Sequence, residues 1–131
     1  MADLGGGTGY GAAVASEMVG SAGRVVSLEV EPSLAALATG NLAGYPQARY
    51  MTANAHEVSR WQGASKVYVA FAMGAVPAEW LDALPDGGRL VVPIEAGGHQ
   101  QMTLFVKQDG EVNTSALGAV RYVPDRTAAA E

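Results

Sequence analysis

Asp3-Leu4-Gly5-Gly6-Gly7-Thr8-Gly9-Tyr10-Gly11-Ala12-Ala13 places four glycines in the five positions from 5 to 9. The apolar start at residues 1–4 reads as the end of a strand. Behind the glycines, Tyr10, Ala13, Val14 and Met18 recur at helical spacing, and Gly20 and Gly23 are stop signals, so a helix is expected over 10–19. A glycine loop between a strand end and a helix start is a candidate ligand cradle. Without Cβ atoms its N–H groups can approach a ligand, and the helix N-terminus favours negative charge. The ligand is not named by this loop alone.

The next segments repeat the same order. Residues 24–30 (Arg-Val-Val-Ser-Leu-Glu-Val) are compact and β-branched, as in a buried parallel strand, and they end in acid just before Pro32. Pro32 suits a first helical turn, and Leu34, Leu37, Ala38 and Leu42 continue that helix until Gly40 and Gly44 weaken and end it. Strands are expected at 48–52 and 67–71, with a polar loop holding His56 and Trp61 between them, followed by a helix at 77–84. Pro85-Asp86-Gly87-Gly88 forces a tight turn into an apolar strand at 89–94. Beyond it, the alternation of Met102, Leu104 and Val106 and the turn signal Gln108-Asp109-Gly110 predict a closing antiparallel hairpin. Alternating strands and helices imply an α/β, Rossmann-like, mostly parallel sheet. One domain over 1–124 and a frayed, alanine-rich tail over 125–131 are expected.

Composition narrows the function. The net charge is −5 with no basic run, so nucleic acid is not an expected partner. No apolar run approaches the roughly 18–20 residues that span a bilayer, and no signal-peptide layout is present, so a non-membrane, cytoplasmic protein is expected. Cysteine is absent, which removes thiolate ligands and nucleophiles. His56 and His99 stand far apart without metal-binding spacing and read as unpartnered loop or surface residues, so no metal site is expected. Trp61, Trp80 and Phe105 read as packing residues.

Glu29 closes the second strand, where a doubly wound sheet sets a carboxylate beside the glycine loop, able to accept both ribose hydroxyls of a nucleoside. Glu31 has the same chemistry and points the same way, but Glu29 sits at the position before the turn. Gly7-Thr8-Gly9-Tyr10-Gly11-Ala12 also satisfies the looser dinucleotide fingerprint, which keeps a nicotinamide or flavin enzyme open as an alternative.

The run from Asp3 to Ala13 resembles the first motif of the protein-L-isoaspartate O-methyltransferases, in which an acid and a Gly-x-Gly-x-Gly loop precede a tyrosine and a small-residue helix. Residues 24–32 are similar to that family's second strand, and Asp86-Gly87-Gly88-Arg89-Leu90-Val91-Val92-Pro93 to its late turn and strand. Residues 101–106 and 118–124 resemble its closing strands. The resemblance implies a class I methyltransferase fold and S-adenosyl-L-methionine as cofactor. Gly5, Gly7 and Gly9 would wrap the methionyl part, and Asp3 would hold the amino group through water. Glu29 would hold the ribose, and Thr8 and Val30 count among the cofactor-binding residues. Asn54 stands where the family has an acid near adenine, and Thr52 and Ala55 would flank the ring.

The implied acceptor is a peptide or protein carrying an isoaspartyl or aspartyl carboxylate, near residues 73–76. No catalytic residue is nominated, because an ionised carboxylate needs no general base. The chain departs from the family at Ser65-Lys66, where a Tyr-Asp pair is usual, and at Phe71, where a threonine is. The family's N-terminal segment, which builds the acceptor pocket, is expected to be missing, so the chain alone is expected to bind cofactor and methylate poorly. A degenerate, non-catalytic cofactor-binding module and a methyltransferase of a dedicated peptide remain alternatives.

Overall fold

The computed structural model describes residues 1–127. In chain order the elements are β1 (Ala2–Leu4), α1 (Tyr10–Val19), β2 (Val25–Glu29), α2 (Ala35–Asn41), β3 (Ala48–Thr52), β4 (Lys66–Val69), α3 (Ala78–Ala83), β5 (Arg89–Ala96), β6 (His99–Gln108) and β7 (Glu111–Val120). Short 3-10 turns at Pro32–Leu34 and Val58–Arg60 precede α2 and β4. The seven strands form one sheet in the order β3-β2-β1-β4-β5-β6-β7. The first five run parallel, while β6 and β7 are antiparallel additions. This is the expected α/β sheet with a closing hairpin.

Its first strand is also its centre. Ala2, Asp3 and Leu4 pair with Val26, Ser27 and Leu28 on one side and with Val67, Tyr68 and Val69 on the other. The chain order reverses across β1, so the loops leaving β1 and β4 diverge to opposite faces and open a crevice at the strands' C-terminal ends. The two faces bury different clusters. Ala12 and Ala15 of α1 and Leu42 pack with Val25 in one cluster. Leu4, Leu28, Val69, Trp61, Trp80, Leu84 and Leu90 form the larger one. Among the described residues no helix is long and apolar enough to cross a membrane.

Three boundaries differ from the sequence-based expectation. Pro32 starts a 3-10 turn rather than the α-helix itself. β4 stops at Val69, because after Ala70 N donates to Leu4 O the chain leaves the ladder and Phe71 turns in under Gly5. β5 continues to Ala96, since its register with β6 holds from Arg89↔Val106 to Ala96↔His99.

The expected frayed tail is corrected for its first three residues. After β7 the chain returns across the sheet's C-terminal edge: Gln100 accepts from Tyr122 N (2.8 Å) and donates to Tyr122 O (3.1 Å). Ala72 N donates to Val123 O (2.7 Å), and Asp125 N to Ala72 O (3.0 Å). Asp125 is buried. Alanine-rich composition says nothing about Asp125, Arg126 and Thr127, whose polar groups find partners. The rest of the expected tail, 128–131, lies outside the described residues.

Because Leu4 is fully buried in a strand of only three residues, Leu4→Ala should destabilise by about 2–5 kcal/mol. A urea midpoint within error of the parent would contradict this placement of β1.

Candidate functional site

The chain leaves β1 through two hydrogen bonds to one acceptor: Gly5 N and Gly6 N both donate to Leu28 O, at 2.8 and 2.9 Å. That turn requires φ +89° at Gly5, where a Cβ would also stand 2.9 Å from the Phe71 ring. At Gly9 (φ +95°) a Cβ would press on the Ala38 backbone at 3.3 Å, so this glycine serves the contact between α1 and α2. The loop is tied from outside as well. Asn41 Nδ2 donates to Thr8 O (2.8 Å) and Tyr50 Oη to Gly7 O (2.9 Å). Burial and the nearby Glu29 and Asp3 carboxylates push the Tyr50 phenol up to about 12, which keeps that donor protonated.

Glu29 lies 6 % exposed at the end of β2. Its Oε1 accepts from Gly7 N and its Oε2 from Glu31 N, both at 3.0 Å. Arg126 Nη1 approaches Oε2 to 3.7 Å. Glu31, the competing acid, instead bonds Ser33 in an exposed turn. Behind the loop, Asp3 is 1 % exposed and accepts from Ser27 Oγ at 2.9 Å. Burial pushes its carboxyl up to about 6, the Ser27 hydroxyl pulls it down, and Glu29 adds to the rise.

These elements bound a cleft at the C-terminal ends of the strands. Of the residues singled out in the sequence, Gly5, Gly7, Glu29, Val30, Asn54 and Ala55 line it. Asp3, Thr8, Gly9 and Thr52 are not on its wall. Asp3 lies buried beneath the loop, Gly9 faces α2, and Thr8 and Thr52 are exposed. Asn54 is oriented by its own turn, since Oδ1 accepts from His56 N at 2.8 Å. Trp61 Nε1 holds Ala55 O at 2.8 Å.

The opposite wall was not foreseen. Val123, Pro124, Asp125, Arg126 and Thr127 close the cleft, and Ala70 and Phe71 line it as well. Asp-Arg-Thr is a local side-chain-to-backbone turn signal, and Asp125 Oδ1 does accept from Thr127 N (3.0 Å) and Oγ1 (2.6 Å). The expectation that His56 has no partner is corrected as well: its Nε2 lies 2.8 Å from Asp125 Oδ2 and its ring centroid 5.0 Å from that of Trp80. A partner 69 residues away along the chain leaves no local pattern. His99 is exposed on β6, as a surface residue should be. Trp61 and Trp80 are buried and meet edge to face at 5.6 Å, and Phe105 packs on the same core, so all three are packing residues. Among the described residues no group of three or more His, Asp or Glu could hold a metal ion.

The two departures from the family's pattern separate in space. Lys66 opens β4 at the end remote from the cleft, in register with Arg89, whereas Phe71 forms part of the cleft wall.

A glycine loop between β1 and α1 and an acid closing β2, met at the reversal of strand order, define a protein of the Rossmann-like α/β class. The comparisons are more specific. A family model for protein-L-isoaspartate(D-aspartate) O-methyltransferase (PCMT) matches residues 1–129, and the chain belongs to that family.

Protein-L-isoaspartate O-methyltransferase 1 of Archaeoglobus fulgidus is 36% identical over 125 residues, covering 93% of this chain and 57% of the relative. The enzyme of Methanocella arvoryzae is 33% identical over 125 residues, covering 93% and 66%. The chain thus spans little more than half the length of the first of these relatives. A solved protein-L-isoaspartate O-methyltransferase superposes with TM-score 0.85 at 30% identity, over 94% of this chain and 40% of that one. A Plasmodium falciparum structure described as a β-aspartate methyltransferase, in complex with S-adenosyl-L-homocysteine, superposes with TM-score 0.78 at 20% identity over 95% and 64%.

The buried Asp3 carboxyl makes the stability of the chain depend on pH. Its folded value of about 6 exceeds the ordinary 3.8, so between these the native chain binds more protons than the unfolded one and stability falls as pH rises. Asp3→Asn keeps an acceptor for Ser27 without the charge. It should exceed the parent at neutral pH by up to about 3 kcal/mol, and the gain should vanish below about pH 4. Urea unfolding across this range tests it, and a pH-independent difference would refute the assignment.

Proposed function

We propose that this chain is the S-adenosyl-L-methionine-binding part of an O-methyltransferase acting on isoaspartyl or aspartyl carboxylates of peptides or proteins. The observation that carries this reading is the cleft joining the Gly5–Gly7 turn, Glu29 and Asn54 at the reversal of strand order, in a chain of this family. The residues fit the cofactor. Glu29 is a buried carboxylate held by two backbone N–H groups and exposed to the cleft, suited to ribose hydroxyls. Space is open where a Cβ of Gly7 would stand, so backbone can approach the methionyl part there. Asn54 and Ala55 would meet the base, with Val30 and Leu34 adding apolar lining to the same cleft. Asp3, beneath the loop, would act on the cofactor's amino group only through water. Thr8 and Gly9 contribute by shaping the turn.

The cofactor, when bound, supplies an electrophilic methyl group on a sulfonium. The acceptor carboxylate is already ionised, so the chain's own residues need only bind, align and keep out water. Phe71, Val123 and Pro124 give that wall an apolar surface. The acceptor would occupy the adjoining cavity, lined by Met73, Gly74, Ala75 and Pro77 beyond the ends of β4 and β5. Cytoplasmic residence belongs to the same proposal. Family membership and the cleft's chemistry support this reading over a nicotinamide enzyme.

Calorimetry with S-adenosylhomocysteine is the direct test, with NAD expected to bind poorly. Glu29→Ala should weaken binding by about 1.5–3 kcal/mol through loss of charge-assisted hydrogen bonds. Glu29→Gln, which still accepts from Gly7, should lose less. Equal affinity for NAD, or an unaffected Glu29→Ala variant, would overturn the assignment.

Asn54→Asp provides a second check, because a carboxylate accepts from an amine more strongly than an amide does while still capping His56 N. A modest tightening, about two- to fivefold, is expected in the same assay. Weaker binding with intact circular dichroism would show that residue 54 does not face the base.

A further inference from the structure

The strap formed by residues 121–127 separates two cavities. Asn54, Pro124, Asp125 and Thr127 line both the cleft beside Glu29 and the larger opening beside Met73 and Glu95. Whatever fixes the strap therefore sets the wall between cofactor and acceptor spaces.

One end of the strap is tied to β6 by Gln100 and, through Tyr122 Oη at 2.7 Å, to Tyr68. Its far end depends on Asp125, 7 % exposed, whose Oδ1 serves Thr127 and whose Oδ2 meets His56 Nε2 at 2.8 Å. Burial pushes the Asp125 carboxyl up, but hydrogen bonds from Thr127 and His56 outweigh it and hold the group below the ordinary carboxylate range. Asp125 is therefore an anion and a strong acceptor for an imidazole N–H.

His56 is itself well placed to hold. Its ring lies against Trp80, which is fully buried, and its backbone N–H is capped by Asn54 Oδ1. The turn that presents Asn54 to the cleft thus also carries the imidazole that grips the strap.

We propose that His56 is a positioning residue: through Asp125 it pins the strap in place as the outer wall of the cofactor cleft and so sets cofactor affinity. The proposal rests on the cofactor assignment above. The charged groups around His56 are Asp125 and Arg126 from the strap, Glu57 next in its own loop, paired with Arg60 at 3.1 Å, and Glu95 of β5 across the second cavity. Of these, Asp125 makes the direct contact.

The test compares the full chain with His56→Phe, His56→Gln and Asp125→Asn. Phenylalanine keeps an aromatic ring against Trp80 and removes the hydrogen bond, whereas glutamine can still donate to Asp125. S-adenosylhomocysteine affinity at neutral pH should fall about tenfold in His56→Phe and about three- to tenfold in Asp125→Asn, with His56→Gln restoring most of the loss.

A readout independent of cofactor is amide hydrogen exchange at Ala72 and Asp125, whose N–H groups bond Val123 O and Ala72 O. Exchange there should quicken about tenfold or more in His56→Phe while β1 and β2 stay protected. If His56→Phe fails to fold, His56→Gln carries the affinity comparison and Asp125→Asn the exchange comparison. Parent-like affinity in all variants, or unchanged exchange at Ala72 and Asp125, would overturn the pin. A parent that binds no S-adenosylhomocysteine would overturn the cofactor assignment, leaving exchange to decide the pin alone.

Discussion

The carbonyl oxygen of Leu28 accepts from Gly5 N and Gly6 N together, and the site depends on this turn. It makes the chain leave the central strand abruptly, so the following backbone passes over the end of β2 instead of continuing the sheet. Once there, Gly7 N meets the Glu29 carboxylate at 3.0 Å, and α1 starts from Tyr10 with its side face against β2 and α2. A side chain at position 5 would both resist the left-handed backbone and strike Phe71. Cleft shape, loop path and helix placement thus share one local constraint.

Two carboxylates near this turn live in different environments. Asp3 is sealed beneath the loop with one hydroxyl partner, and burial raises it to about 6. Glu29 stands on the cleft wall with a backbone N–H on each oxygen and a guanidinium at 3.7 Å. Partner number and access to solvent, rather than residue type, separate a structural acid from one able to meet a ligand. Family membership gives this arrangement its meaning, while the chain covers only part of the length of its relatives.

Much of the architecture was legible because its signals are local. The Gly5–Gly9 loop, the helical spacing from Tyr10 to Met18, the compact 24–30 run and the Asp109-Gly110 turn each announce their structure within a few residues. Glu29 was legible from its place at a strand end. The limits of the reading are equally physical. Thr8 and Gly9 sit in the motif, yet they face solvent and α2 because a five-residue turn cannot direct every member to one side. The strap was misread because composition near the tail masked an Asp125 whose partner lies far away in the chain.

Strand and helix order, the glycine turn and the acid closing β2 were determined by the sequence alone, since backbone geometry and hydrophobic periodicity act over neighbouring residues. Tertiary structure alone decided that Asp3 is buried while Glu29 faces the cleft, that Phe71 and not Lys66 touches the site, and that Val123–Thr127 return to wall it. The same holds for His56 and Asp125, joined across 69 positions at 2.8 Å. Such contacts arise only when the sheet brings distant segments to one edge, and no local pattern records which segments will meet.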